Sequence, residues 1–358
     1  MDPILLQDLL NFIEGSSADD EAFNAMALRL FQHQYQHNLP FQKVCRQRGR
    51  TPRTVRDWRD IPAVPIHAFK DLTLSAHPAQ QCERVFMTSG TTRGDVRGKH
   101  HHPHLQVYDL SMRLNFQRHI MHNPTRMRVM VFFPGEDLMP NSSLAHYLQL
   151  ARTHFGSADS DHYIHDQGLQ WPQACADLEQ ACAQHQPVLL LGASYSLVHL
   201  MDAMRQQGVR LVLPQGSRIM DTGGFKGQSR ELSPTEFYQG LFDAFGVPAS
   251  CCQNMYGMTE LSTQFYDAGQ HLQPVIKRGP HWIKTRVLDP LTGQEMPAGS
   301  VGVLAHTDLA NFNSVVTILT EDLGHTQGDG FVLLGRAQGA QAKGCSLAVE
   351  HFLQAAQT

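Results

Sequence analysis

Apolar residues early in the chain fall at helical spacing: Leu5, Leu6, Leu9, Leu10 and Ile13, then more loosely Phe23, Met26, Leu28, Leu30 and Phe31. The pattern predicts a helical leader over residues 1–60. Beyond it come short β-rich runs at 84–89 (RVFMTS), 128–133 (RVMVFF), 187–192 (PVLLLG) and 209–214 (VRLVLP). Helical stretches separate them. One follows Asn141-Ser142-Ser143 and carries Leu144, Tyr147, Leu148 and Ala151; another follows Ala193-Ser194 and carries Leu197, Leu200, Met201 and Met204; both are read as opening on capping residues. Strands alternating with helices predict an α/β fold whose parallel sheet is covered on both faces. From about Gln273 to 335 the strands shorten and are broken by Pro and Gly (IKTRVLDPLTGQEMPAGSVGVLAH), which predicts hairpins or a small barrel with a turn at DPLTG. The residues after Gly335 are too few to fold alone. The chain therefore divides into one large domain, 1–335, and a short C-terminal lid or tail, 336–358, that docks on it.

Composition narrows the class. With 42% hydrophobic and 17% charged residues the chain is ordinary globular protein, and no apolar run approaches the roughly 20 residues of a membrane helix. The opening MDPILLQDLLNFIEG lacks the basic start, apolar core and cleavage site of a signal peptide, so a cytoplasmic enzyme is expected. A net charge of −4 without a block of like charge excludes a general electrostatic grip on nucleic acid. Seven scattered cysteines without a C-x-x-C pair argue against a disulfide framework and a thiolate zinc site. His100, His101, His102 and His104, with His162 and His165, are read as an exposed, inert run, because no thiolate or carboxylate is placed to complete a metal site.

Three segments carry candidate chemistry. The first runs from Thr88 to His100: Thr88, Ser89, Thr91 and Thr92 supply hydroxyls, Gly90, Gly94 and Gly98 permit tight turns whose N–H groups converge, and Lys99 adds a charge. This composition suits a polyphosphate. It is not a Walker A loop, since Gly94 and Gly98 enclose three residues rather than four and His100 stands where Ser or Thr holds magnesium. The second, Tyr256-Gly257-Met258-Thr259-Glu260, follows a strand-like run and offers an aromatic face, a hydroxyl and a carboxylate, the last a suitable oxygen ligand for Mg²⁺. In the third, Asp322 and Arg336 flank a predicted hairpin, and Asp322 is placed to accept both hydroxyls of a ribose.

In this order the segments resemble the adenylate-forming (acyl-activating) superfamily. More narrowly, SGTTRGDVRGKH, IPAVPIHAFK, the SSLAHY helix start, DTGGFKG at 221–227, YGMTE and the closing GRAQGAQAKGCSLAVEHF resemble the acyl-protein synthetase (LuxE-like) family, the fatty-acid-activating component of the bacterial bioluminescence reductase complex. The resemblance implies the adenylate-forming fold, parallel sheets covered by helices plus a small β-rich part, with a truncated tail. It implies that Thr88 to Thr92, Gly94 and Lys99 cradle the ATP phosphates, that Gly223 and Gly224 pass close to the adenine and Tyr256 stacks on it, with Gly257 and Met258 beside it in the turn. Thr259 would touch the α-phosphate, Glu260 would carry Mg²⁺, Asp322 would hold the ribose and Arg336 would lie at the hinge.

The pattern departs from the superfamily in two places. The residue two after Arg336, often acidic there, is Gln338. The chain also stops where a full ligase continues into the part bearing its adenylation lysine, so that lysine is expected to be absent or replaced, with Lys99 and Lys343 as the candidates. Near the C-terminus the family's acyl acceptor is a cysteine, which falls on Cys345; Lys343, two residues away, favours its thiolate. The expected activity is ATP-dependent activation of a carboxylic acid, by the resemblance a fatty acid, to acyl-AMP, with transfer to Cys345 and then to a partner reductase. The rival reading transfers the acyl or aryl group to coenzyme A or a carrier-protein pantetheine. A third reading, a nucleotide-binding interaction subunit without turnover, is disfavoured by the intact Thr259, Glu260 and Asp322.

Overall fold

The computed structural model describes residues 2–89, 96–122, 126–225, 227–290, 292–338 and 340–357. Gly90, Thr91, Thr92 and Gly94 lie outside the described residues, and Lys343 and Cys345 are described only as backbone positions of the last helix. The chain forms two compact units, one made of 1–112, 258–263 and 276–358, the other of 113–257 and 264–275.

The first unit opens with α1 (Pro3–Glu14), α2 (Asp20–His37) and α3 (Leu39–Gln47). The predicted stripe on α1 is the buried one, Leu5, Leu9, Leu10 and Ile13, and Asp2 caps the helix by accepting from the N–H groups of Ile4 and Leu5. The helical leader ends at Gln47 rather than near residue 60; residues 48–60 form turns and a short 3₁₀ segment at Trp58–Asp60. Then come β1 (Val64–Pro65), the short α4 (Ala68–Asp71) and an antiparallel pair, β2 (Arg84–Met87) and β3 (Lys99–His102). Residues 84–89 were expected in the parallel sheet; they pair only with β3, because the phosphate-loop candidate is the link between two neighbouring antiparallel strands. The helix α5 (Gln106–Phe116) leads out of this unit.

The second unit is the doubly wound part. Its strands are β4 (Arg128–Pro134), β5 (Asp161–His165), β6 (Gly168–Leu169), β7 (Val188–Ala193), β8 (Arg218–Thr222), β9 (Cys252–Tyr256) and β10 (Phe265–Tyr266). They lie in the order β10-β9-β8-β7-β4-β5-β6, with the central five parallel and the two outer strands antiparallel. The crossovers carry α6 (Ser143–Phe155), α7 (Trp171–Ala183), α8 (Ser194–Gln206) and α9 (Pro234–Phe245). Buried β4 and β7 read as continuous apolar runs because both faces are covered. Gly192 on β7 permits close packing, since a Cβ there would sit 2.9 Å from the Phe132 carbonyl oxygen.

Two local expectations fail here. Residues 209–214 are not a strand: the Leu211 and Leu213 N–H groups donate to the carbonyls of Ala244 and Phe245 at the end of α9, and the sheet strand is β8 instead. Gly208, Pro214 and Gly216 break the run, and RIMDT, with less apolar character, takes the place in the sheet. Ser194 opens α8 without capping it, because its hydroxyl is committed to Asp221. Ser142 does cap α6, accepting from the Ala145 N–H.

The chain returns to the first unit in β11 (Ile283–Leu288), β12 (Gly302–Asp308), β13 (Thr317–Gln327) and β14 (Gly330–Arg336). With β1 these make one five-stranded mixed sheet rather than a barrel, in which β13 pairs with β12 along one edge and with β1 and β14 along the other. The expected turn is present after β11: the Thr292 N–H donates to Asp289 and Gly293 takes φ +68°. The last residues form α10 (Ala340–Gln357), which packs on α3, α4 and β1 through the buried Phe352, Ala355 and Ala356. Among the described residues no helix is long and apolar enough to cross a membrane.

Candidate active site

In the first unit the structure brings together parts of all three candidate segments. Below the phosphate-loop candidate, the Thr88 N–H donates to the Gly98 carbonyl (3.0 Å) and the Gly98 N–H donates back to Thr88 Oγ1 (2.9 Å). Gly98 abuts Glu260: a Cβ at this position would lie 3.5 Å from Glu260 Oε1 and 3.2 Å from Thr88 Cγ2. His100, on β3, is tied to the second segment, its Nδ1–H donating to the Thr259 carbonyl at 2.9 Å while Nε2 accepts from Ser314 Oγ at 3.0 Å. The carbonyl fixes the tautomer, since it can only accept. His100, His101 and His102 are thus buried, not exposed, and burial holds the His100 imidazole down at about 4. Lys99, the first residue of the same strand, is exposed.

Glu260 is 6% exposed, and burial pushes its carboxyl up to about 7. The opposing influences are its own backbone N–H and the positive charges of His67, Arg336 and Lys70. Nearby, His67 Nδ1 lies 3.1 Å from Glu321 Oε1, and this hydrogen bond, followed by the charges of Arg336 and Lys70, holds the Glu321 carboxyl below its usual range against burial. Asp322 and Arg336 are cross-strand partners on β13 and β14, with Arg336 Nε 3.9 Å from Asp322 Oδ1 and Nη1 3.8 Å from Glu321 Oε2. A hairpin that pairs residues 322 and 336 explains why two residues distant in sequence lie side by side.

The turn bearing Thr259 and Glu260 is held from below by residues that the motifs did not single out. Asp308, fully buried, accepts from the Ser262, Thr263 and Ala310 N–H groups and from Thr263 Oγ1 at 2.7–3.0 Å. Asn311 donates to the Glu260 carbonyl at 2.8 Å and accepts from Ser262 Oγ at 2.7 Å. Burial pushes the Asp308 carboxyl up to about 6 in spite of those four donors. Replacing Asp308 by Ala strands them in the interior, so we expect a loss of about 2–4 kcal/mol of stability by denaturant titration. An unchanged midpoint would remove Asp308 as the support of the turn.

In the second unit the candidate adenine contacts stand at the carboxyl ends of the parallel strands, where open α/β sheets bind ligands. Ala193, Thr222 and Met255 are in register across β7, β8 and β9, so Ser194, Gly223 and Tyr256 occupy the next row. Gly223 takes φ +75°, and open space lies where a Cβ would project from it or from Gly224. Tyr256 is 8% exposed and tilts against Phe265 at 5.9 Å. Gly257 fits beneath the turn, a Cβ there coming within 3.2 Å of Met255 Sδ. Buried Asp221 sits at the end of β8 and accepts from Ser194 Oγ, Tyr238 OH and Asn254 Nδ2 at 2.7–2.8 Å. It holds the start of the DTGG turn and was not foreseen as a positioning group.

Comparison with solved structures gives the class. The chain is similar to a 2-hydroxyisobutyryl-CoA ligase in complex with 2-HIB-AMP and CoA (TM-score 0.60, 13% identity, covering 88% of this chain and 74% of that one). It is also similar to ATP-bound MatB from Rhodopseudomonas palustris (TM-score 0.51, 16% identity, 73% of this chain), of whose length it spans about half (49%). The fold is that of the adenylate-forming enzymes. The family model described as acyl-protein synthetase, LuxE, matches residues 4–354, and the chain belongs to that family. Curated relatives are the long-chain-fatty-acid--luciferin-component ligases of Vibrio harveyi (23% identity over 336 residues, 91% of this chain and 86% of that protein) and Aliivibrio fischeri (21% over 308 residues, 82% and 79%). The protein is an AMP-forming acid–thiol ligase: a carboxylic acid is activated as acyl-AMP and passed to a thiol.

Proposed function

We propose that this chain is a cytoplasmic enzyme that activates a fatty acid with ATP, takes the acyl group onto its own Cys345 and delivers it to a partner protein, a reductase in the reading the resemblance favours. The observation that carries the first step is the convergence of the Thr88–Gly98 stem, Glu260, and the Asp322–Arg336 pair within one unit. In that step a carboxylate oxygen attacks the α-phosphorus and the bond to pyrophosphate breaks. Two anions must approach each other, and Lys99, Arg336 and Lys70 are the cations that offset their repulsion. In the second step the thiolate attacks the acyl carbon and AMP leaves.

By residue, the proposal assigns Thr88, Ser89, Gly90, Thr91, Thr92, Gly94 and Lys99 to the phosphates, and Gly223, Gly224, Tyr256, Gly257 and Met258 to the adenine. Thr259 is assigned to the α-phosphate, Asp322 to the ribose and Arg336 to the charge beside it. Glu260 is the residue that would hold Mg²⁺, which supplies positive charge to the phosphates when bound. Its environment fits a hard cation: a buried carboxylate whose ionised form gains from a neighbouring positive charge. The split into a body of 1–335 and a tail of 336–358 that carries the nucleophile is part of the same proposal.

The test is ATP–pyrophosphate exchange against a panel of carboxylic acids, with exchange expected for long-chain acids and absence of exchange with every acid contradicting the reading. Lys99→Ala is expected to lower acyl-AMP formation by about 10–100-fold and to leave binding of preformed acyl-AMP within about twofold, because its partner is the departing pyrophosphate. Equal loss of both would assign Lys99 to general binding. Lys70→Ala is the matched comparison, since Lys70 acts on Glu260 and Glu321 by charge.

A further inference from the structure

A pocket of about 450 Å³ lies wholly in the first unit, and its lining contains none of the residues assigned above to nucleotide or magnesium. Its walls are the end of α3, the Trp58–Asp60 turn, β1, β11 with the turn after it, and α10. Four arginines line it, Arg48, Arg50, Arg59 and Arg286, with the carboxylates Asp60 and Asp289 in the same lining and Asp57 and Glu295 beside Arg59 and Arg286. Two of the arginines are already matched. Arg50 pairs with Asp60 at 3.0 Å, and Arg59 pairs with Asp57 at 3.3 Å while lying 4.6 Å over the Trp58 ring.

The other two are less fully matched. Arg48, exposed at the carboxyl cap of α3, has no ion pair among the described residues. Arg286 has a side chain only 9% exposed, its nearest carboxylate is Glu295 at 3.9 Å, and its Nε–H has no hydrogen-bond partner. The Trp58 ring, 5.4 Å away, gives partial compensation through its face. A guanidinium kept out of water with donors unspent is costly unless an acceptor arrives. Beside the guanidinium groups the lining is apolar: Leu288, two residues along β11 from Arg286 and so on the same strand face, with Leu319 and Leu347.

We propose that this pocket binds an organic phosphate, the phosphomonoester dianion on Arg48 and Arg286 and a small apolar body against Leu288, Leu319 and Leu347. Guanidinium groups match phosphate oxygens in geometry, and a phosphate offers the unspent donors more acceptor oxygens than a carboxylate does. Because Leu347, Ala348 and His351 belong to α10, an occupant bears directly on the helix that contains position 345. The site therefore gives a phosphorylated small molecule a means of steadying the docked tail.

The experiment titrates phenyl phosphate into the full chain without added nucleotide, beside benzenesulfonate, which has the ring but one charge, and inorganic phosphate, which lacks the ring. Amide exchange is followed in segments 284–290 and 346–356. Phenyl phosphate is expected to protect both at concentrations about tenfold below either comparator, and Arg48→Gln, at an exposed cap, to weaken it about fivefold or more without changing the fold. Arg286→Lys should weaken it further, since a point charge replaces the fork. Equal protection by benzenesulfonate, protection confined to 84–102 and 255–263, or wild-type binding by Arg48→Gln and Arg286→Lys would overturn the proposal.

Discussion

Glu260→Gln is expected to abolish most of the activity and at the same time to stabilise the protein. The exchange rate should fall by about two to three orders of magnitude, because the amide keeps the shape of the side chain but cannot balance a cation beside the phosphates. The gain in stability follows from the carboxyl being raised to about 7 by burial. Between its unfolded value of 4.5 and about 7 the folded protein binds more protons at this site than the unfolded chain, so wild-type stability falls as pH rises through that window. Above it the whole penalty is present. The neutral amide escapes it, so in metal-free buffer the advantage of Glu260→Gln should grow from about pH 4.5 to 7 and level off at up to about 3 kcal/mol. Denaturant midpoints at pH 5 and pH 8 check this. A variant that loses both activity and stability at pH 8 would show that Glu260 serves the fold.

The second large effect is expected at Cys345. Cys345→Ser should retain pyrophosphate exchange within about twofold and lose the acyl-enzyme, because activation precedes capture and a serine hydroxyl is a far weaker nucleophile than a thiolate. The competing thiols are Cys251 and Cys252, close in sequence to Tyr256. Cys252 is buried and its thiol is pushed well above its usual range, first by burial and then by Asp221, which makes it a poor nucleophile. Persistence of the acyl label in Cys345→Ser would move the acceptor to another thiol. Efficient transfer to coenzyme A or a carrier protein without any adduct would favour the ligase alternative.

Much of this arrangement was legible in the chain, and the reasons are local. The helices after Ser142 and Ala193 and the strands at 128–134 and 188–193 have runs long and apolar enough to declare themselves. The strand misassigned to 209–214 was not, because an apolar run beside α9 satisfies its backbone as well there as in a sheet, while β8 carries a buried polar Asp221 and Thr222. The candidate site residues stand in glycine, hydroxyl and charge motifs, which a sequence displays directly. The groups that hold them are not displayed so: Asp308 and Asn311 look like ordinary turn residues until the fold brings them under 259–263. His67 and Lys70 were visible as part of IPAVPIHAFK, but their roles depend on β1 pairing with β13, which no short stretch of sequence encodes. His100 was read in an exposed run, whereas alternate pairing with β2 buries it against Thr259 and Ser314.

The central claim is tested most directly by incubating the full chain with a labelled long-chain fatty acid, ATP and Mg²⁺ and mapping the label by peptide mass. A hydroxylamine-labile adduct on the peptide containing Cys345, formed only with ATP, is the predicted result. Label that appears without ATP, resides on a different cysteine, or never forms while exchange proceeds would contradict it.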